Sequence, residues 1–329
     1  MTGKLDLTTP WEISHQPTAS TEDIFYCFRL FLGRAPNLEE WTGHAAHAGA
    51  ELDSVIGSYA SSLEFSLRLS KFLGSKLDDR ISLEKSEGFS IYVQDGDLAV
   101  GHHLKNGGKY ESHVTGVFRD RLKPGMHVVD IGANIGYFTM LSASLVGPTG
   151  SVMAIEPNAS NAKLLEASRR ANSFDMVTVV QAAAGSAIGL LVLNTAYSNG
   201  TTAPLSDNLR SLIDSTTVPC LKLDDLIATS KFIDFVKVDV EGAEYKALLG
   251  ASAMIRRCKP TIVSEFSPDM MPMISGVDGV QYLRFLRDFG YNISVIEQDG
   301  RLTSCAGDLA KVMNAYTQSG IDHIDLLMD

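Results

Sequence analysis

The sequence predicts an α/β fold, a mostly parallel sheet with helices on both faces, preceded by a small all-helical module. Three observations carry that expectation. From residue 126 onward, apolar extended runs alternate with helical runs. Between residues 21 and 75 no strand signal occurs. Finally, "VVDIGANIGYFT", residues 128–139, reads as a buried strand, a glycine turn and a helix start.

Taken in order, residues 1–20 hold Pro10, Pro17 and several Ser/Thr, and are expected as a tail. The helical module spans 21–75. Its first helix, "TEDIFYCFRLFLGR", stops at Gly33, and its second starts from Asn37 with Glu40 three residues on, a capping box. Its third, "LDSVIGSYASSLEFSLRLSKFLG", runs to about Gly74. Charge rises and periodicity fades over 76–87, a linker, and the second domain is expected over 88–329. There "FSIYVQDGDLAVGHH" predicts a β-hairpin turning at Asp95-Gly96, then a helix over 111–122. Strands are expected at 126–131, 151–155, 176–181, 233–239, 261–266, 290–296 and 323–328. Helices are expected near 135–146, 158–171, 242–250 and 278–289. The runs "YNISVIE" and "HIDLLM" suggest a hairpin-like insertion at one sheet edge, and "NTAYSNGTTAPLSDN" a loop over an acceptor site.

Composition narrows the function. A net charge of −11 argues against a broad nucleic-acid or anionic-membrane surface, though a local basic groove would survive it. No run of about 18 apolar residues occurs, the start lacks a signal-peptide core, and four scattered cysteines read as reduced thiols. A cytoplasmic protein without a membrane span is the simplest expectation.

The acid before the glycine turn is the informative residue. A dinucleotide fingerprint would need glycines where this chain has Gly132, Asn134 and Tyr137, and Asp130 would face the phosphates. NAD is disfavoured. A ligand with an α-amino group and a sulfonium would instead meet Asp130 favourably. Glu156, at the end of the next strand and 20 residues beyond Gly136, is placed to accept from two ribose hydroxyls. Adenosine with an amino-acid tail describes S-adenosyl-L-methionine. The plainer alternative is that both acids only cap helices.

In "DFVKVDVEG", strand periodicity puts Lys237, Asp239 and Glu241 on one side. Three charges on a dry face would be costly, so that face is expected to open into the cleft, with Lys237 as partner and Asp239 or Glu241 meeting the acceptor. A structural ion pair, or Glu241 serving only a helix N-terminus, is the alternative. His102, His103 and His113 are further candidates for the base, and Glu265 faces the same cleft toward substrate or a metal. No HExxH, DxDxDG or Cys/His pattern demands a metal, so none is expected.

"VVDIGANIGYFT", "AIEPN" and "DFVKVDVEGAEYKALLGA" together resemble the FkbM family of S-adenosylmethionine-dependent O-methyltransferases, over about residues 88–298. The resemblance implies a Rossmann-like class I methyltransferase fold with a mostly parallel seven-stranded sheet. It implies a cofactor lined by Asp130, Gly132, Asn134, Gly136 and Glu156; Asp239, from the strand reading above, is a further cofactor-binding candidate. Glu111, in "GGKYESH", is a further pocket candidate by the same likeness. Family members methylate hydroxyls of sugars or of polyketide-type products. A sugar hydroxyl of a glycan or glycosylated metabolite is the leading expectation. A polyketide or peptide hydroxyl, or a non-catalytic S-adenosylmethionine-binding scaffold, stands beside it. "FYCFRLFLGRAPNLEEW" resembles a bacterial helical module similar to phycobilisome-linker repeats, often found beside glycan-handling enzymes, which implies a packing or homo-oligomerisation role.

Overall fold

The computed structural model describes residues 17–62, 64–65, 68–69, 81–94, 100–105, 110–194, 201–205, 213 and 215–329, and only the backbone of His102. The chain divides into two compact units, 1–80 and 81–329.

In the first unit, helix Thr21–Cys27 begins at a capping box between Ser20 and Asp23 and continues as a π-helical turn, Phe28–Leu32. Gly33 ends it with φ +71°, the left-handed conformation that a glycine takes without a Cβ clash. Helix Leu38–Ala45 starts at Asn37, whose side chain accepts from the Glu40 N–H while Glu40 accepts from the Asn37 N–H. Ile24, Phe28, Val55 and Tyr59 close a small core. The third helix is shorter than expected. It spans Leu52–Ala60 and ends where Ser61 and Ser62 turn their hydroxyls onto the carbonyls of Gly57 and Tyr59. Residues 70–80, which the sequence assigns to the end of this helix and the start of the linker, lie outside the described residues.

The second unit is a three-layer α/β fold. The strands of its large sheet, labelled in chain order, are β1 His127–Ile131, β2 Ser151–Ile155, β3 Val177–Val180 and β4 Phe235–Val238. They continue with β5 Thr261–Phe266, β6 Ile293–Ile296, β7 Leu302–Ser304 and β8 Ile324–Met328. Their spatial order is β7-β6-β8-β5-β4-β1-β2-β3. β3, β2, β1, β4 and β5 are mutually parallel, as the continuous apolar runs imply, and β8 enters antiparallel between β5 and β6. Each face carries its own core, one around Val236, Phe266 and Tyr282, the other around Phe118, Phe138 and Leu141.

Four expectations change. The sheet has eight strands, because Leu302–Ser304 pairs on the outer edge of β6. The "YNISVIE" and "HIDLLM" strands do pair antiparallel toward one end of the sheet, but β8 lies inside it, between β6 and β5. The hairpin sits one strand earlier: Ile81–Ser86 pairs with Phe89–Gln94 around Gly88, so 81–86 is strand and not linker. Asp95-Gly96 lies outside the described residues, and the run beyond it, Val100–Lys105, is helix. Gly88 at φ +95° served the turn, and the alternation in "ISLEKS" was masked by its charges. Lastly, part of the expected acceptor loop is strand. Thr201–Ala203 pairs with Gly189–Asn194 in a separate four-stranded sheet with Ala183–Ala184 and Thr217–Leu221. Residues 195–200 and 206–208 of that loop are outside the described residues.

Candidate active site

β1 and β4 are neighbours from which the sheet winds in opposite directions, so a crevice opens beyond their carboxyl ends. It encloses about 840 Å³ out to its open mouth. The first wall is the glycine turn. The Gly132 N–H donates to the Ile155 carbonyl at 2.9 Å, and a Cβ there would fall 1.8 Å from the Asp239 carbonyl oxygen. Only glycine lets the ends of β1 and β4 come this close. Asn134 follows at φ +51°, and its N–H donates to Glu156 at 2.8 Å. The other Glu156 oxygen accepts from the Asn158 N–H at 2.8 Å, so one carboxylate joins the β1 turn to the start of helix Ala159–Ala171. Burial pushes its pKa up to about 7.

Asp130 is 1% exposed. Thr139 donates to one of its oxygens at 2.6 Å, while the other has no hydrogen-bond partner among the described residues. Burial raises its pKa, against the pull of Lys237. A buried carboxylate oxygen left unmatched beside a cleft costs stability unless a ligand donor reaches it.

The second wall is made by charge. Lys237, directly across from Asp130 in the β4–β1 register, puts its ammonium 2.7 Å from Asp239 and 4.8 Å from the Phe138 ring centre. Burial works against that ammonium, but Asp239, Asp130 and Glu111 hold it charged. Burial works against Asp239 as well, and Lys237 outweighs it, keeping Asp239 below the ordinary carboxylate range. Carboxylate oxygens of Asp239, Glu241 and Glu265 lie within 4.8 Å of one another. Burial, then Asp239, Glu241 and Glu244, raise Glu265 well above its usual pKa, which favours its neutral form beside Asp239. Ser267 donates to Glu265 at 2.8 Å.

The structure brings Asp130, Gly132, Asn134, Glu156, Lys237, Asp239 and Glu241 together around one cleft. β4 ends at Val238, and Glu241 at φ +53° sits in a left-handed turn with Gly242, so it arrives by the turn and not by strand alternation. Gly136 does not line the cleft. A Cβ there would sit 2.7 Å from Leu165, so its role is to let two helices pack. Glu111 also stands behind the lining, at φ +39° before helix Ser112–Arg121. It hydrogen-bonds Tyr110, and burial raises it to about 7 while Lys237 opposes. His113 is buried against Asp325 at 2.8 Å, a structural pair outside the cleft lining. His103 packs against Tyr110, 6.2 Å between ring centres. His102 lies on helix Val100–Lys105, and its side chain is outside what is described.

Sequence reasoning missed Glu244. Fully buried, it accepts from the N–H groups of Val240 and Gly242 at 3.0 and 3.1 Å and so holds the loop that carries Asp239 and Glu241. Its spacing five residues after Asp239 was the available signal.

A family model, the methyltransferase FkbM domain, matches residues 130–293, from the acid of β1 to the start of β6. Those residues are an FkbM methyltransferase domain. Its cofactor is S-adenosyl-L-methionine. The cleft fits that group: Asp130 offers an unmatched acceptor oxygen, Gly132 a turn without side chain, and Glu156 remaining lone pairs at the end of β2. The chain is also similar to a protein-L-isoaspartate O-methyltransferase of Triticum aestivum, 36% identical over 72 residues. That match covers 21% of this chain and only 30% of the relative. Among solved structures, the methyltransferase FkbM of Methylobacillus flagellatus KT aligns with 18% identity, 65% of this chain, 50% of that chain and TM-score 0.40. Aeropyrum pernix fibrillarin, solved with S-adenosyl-L-methionine, aligns with 11% identity, 76% and 99% coverage and TM-score 0.40. Among the described residues, no helix is long and apolar enough to cross a membrane.

Proposed function

We propose that the chain transfers a methyl group from S-adenosyl-L-methionine to a hydroxyl of a sugar, in a glycan or a glycosylated metabolite. The observation that supports it is the pair Asp239 and Glu241 on the wall of the cleft, with the carboxyl of Glu265, half-buried behind the lining and not on it as the sequence suggested, within 4.8 Å of both. Several carboxyl oxygens at that spacing suit an acceptor with neighbouring hydroxyls. S-adenosyl-L-methionine supplies a methyl carbon already activated by its sulfonium. The chain orients the acceptor and receives its proton. Asp239, kept ionised by Lys237, and Glu241, on the cleft wall, are the proposed acceptors of that proton, with His102 the third candidate. Lys237, 2.7 Å from Asp239, already supplies positive charge there, so the reading assigns no metal. It places the protein in the cytoplasm, without a nucleic-acid partner, and gives the helical unit a role in self-association.

Purified full-length protein, S-adenosyl-L-methionine and a panel of glycosides test the reading. Release of S-adenosylhomocysteine with a gain of about 14 daltons on an acceptor oxygen, where CH₃ replaces the hydroxyl proton, is the expected result. Cofactor binding without transfer to any hydroxyl would favour a scaffold.

A further inference from the structure

The cleft does not end at the Asp239–Gly242 loop. It continues into a second groove of about 700 Å³ including its mouth, and the two share Ala184, Thr202 and Ala243 as a common wall. One side of the groove is the four-stranded sheet. The other is helix Glu244–Leu249 with Ile274. Ile188, Leu190, Leu191 and Pro204 give it an aliphatic lining. Its one charged lining residue among those described, Lys246, donates to the Ile274 carbonyl at 2.6 Å. Ile188 and Leu190 are 68% and 52% exposed, so two large aliphatic side chains stand in water at the mouth. The groove is a fixed feature. A Cβ on Gly250 would fall 2.0 Å from the Gly185 carbonyl oxygen, which presses the small sheet backbone-to-backbone onto the turn after that helix.

We infer that this groove holds an apolar portion of the methyl acceptor, an aglycone or acyl chain joined to the hydroxylated part that sits beside Asp239. The inference rests on the reading of the cleft as a methyl-transfer site and narrows its substrate class. Continuity decides the occupant. A molecule reaching across the shared wall has one end among carboxyl groups and the other among aliphatic side chains. A bare oligosaccharide would leave hydroxyls against Ile188, Leu190 and Leu191 without hydrogen-bond partners, which opposes binding. The acceptor is therefore a glycoside with an apolar tail, not an unadorned glycan.

The test uses methyl, hexyl and octyl β-glucopyranosides below their micelle concentrations, titrated calorimetrically into full-length protein saturated with S-adenosylhomocysteine. Affinity should rise about three- to fourfold per methylene that enters the groove. Leu190→Glu should flatten that rise while S-adenosylhomocysteine binds unchanged, and Ile188→Ser should lessen it. Equal affinity along the series, no binding at any length, or an undiminished rise in Leu190→Glu overturns the groove assignment. If S-adenosylhomocysteine itself fails to bind, the methyltransferase reading falls, and the alkyl series on the protein alone still decides the groove.

Discussion

The β1–β2 wall of the cleft and the β4–β5 wall are built from the same residue types, acids and glycines, put to different uses. On the first, the carboxylate of Glu156 is spent on backbone N–H groups, and Gly132 exists so that two strand ends can meet. On the second, Asp239, Glu241 and Glu265 lie close together, with the Lys237 ammonium against Asp239 and burial favouring the neutral form of Glu265. The first wall is therefore a shape that receives a ligand. The second is a charge arrangement that can accept a proton. Substitutions should separate the two.

The largest effect is expected on the charged wall. Asp239→Asn and Glu241→Gln keep volume and remove charge, and turnover with a confirmed acceptor should fall by about 10²–10⁴-fold for whichever carboxylate takes the proton. Calorimetry alongside should show a modest loss of cofactor affinity for Asp239→Asn and little for Glu241→Gln. Near wild-type turnover in both would move the proton acceptor to His102. Next comes Lys237→Met, which leaves buried carboxylates without their cation. Denaturant unfolding should register a loss of about 3–5 kcal/mol.

On the shaped wall the readout is binding. Asp130→Ala and Glu156→Ala should each weaken S-adenosyl-L-methionine by roughly ten- to a hundredfold, the worth of a charge-assisted hydrogen bond of about 1.5–3 kcal/mol. Unchanged affinity in both folded variants would break the distinction between the walls.

The smallest effect lies beneath both. Burial pushes Glu244 up to about 7, above its value in an unfolded chain, so the native state holds a proton that the unfolded state releases. Stability from this group is present at low pH and lost as pH rises from about 4.5 to about 7, by up to about 1.4 kcal/mol per pH unit. Glu156 and Glu111, also raised to about 7, act in the same direction. Unfolding midpoints between pH 5 and 8 should therefore slope less steeply in Glu244→Gln by one group's share. An unaltered slope would return Glu244 to an ionised state.

How legible each wall was in the sequence follows from the same contrast. Asp130, Gly132, Asn134 and Glu156 lie at strand ends beside turns, so a local pattern locates them, and all seven expected strands of the large sheet are present. Gly136 shows the limit, since a glycine reads alike whether a ligand or Leu165 is what approaches it. The charged wall is non-local. Glu265 meets Asp239 only through the β4–β5 pairing, and Glu241 arrives through a left-handed turn that strand periodicity does not encode. The small sheet was hidden for the opposite reason: Ala183–Ala184 and Thr201–Ala203 are too short to show a period, and the apolar run Gly189–Asn194 is half exposed.

One topological detail bears on how the fold is reached. β8, residues 324–328, pairs with β5 on one side and β6 on the other. During synthesis, every other strand of the sheet is made before the one that joins its two parts. Until that segment arrives, the β5 edge has unpaired N–H and C=O groups flanked by buried-type side chains, a template for wrong pairing with another chain. The last-made strand of the sheet is thus the one that joins its two parts. Small lesions in residues 324–328, buried and paired on both sides, are therefore expected to surface as poor yield of folded protein rather than as altered chemistry.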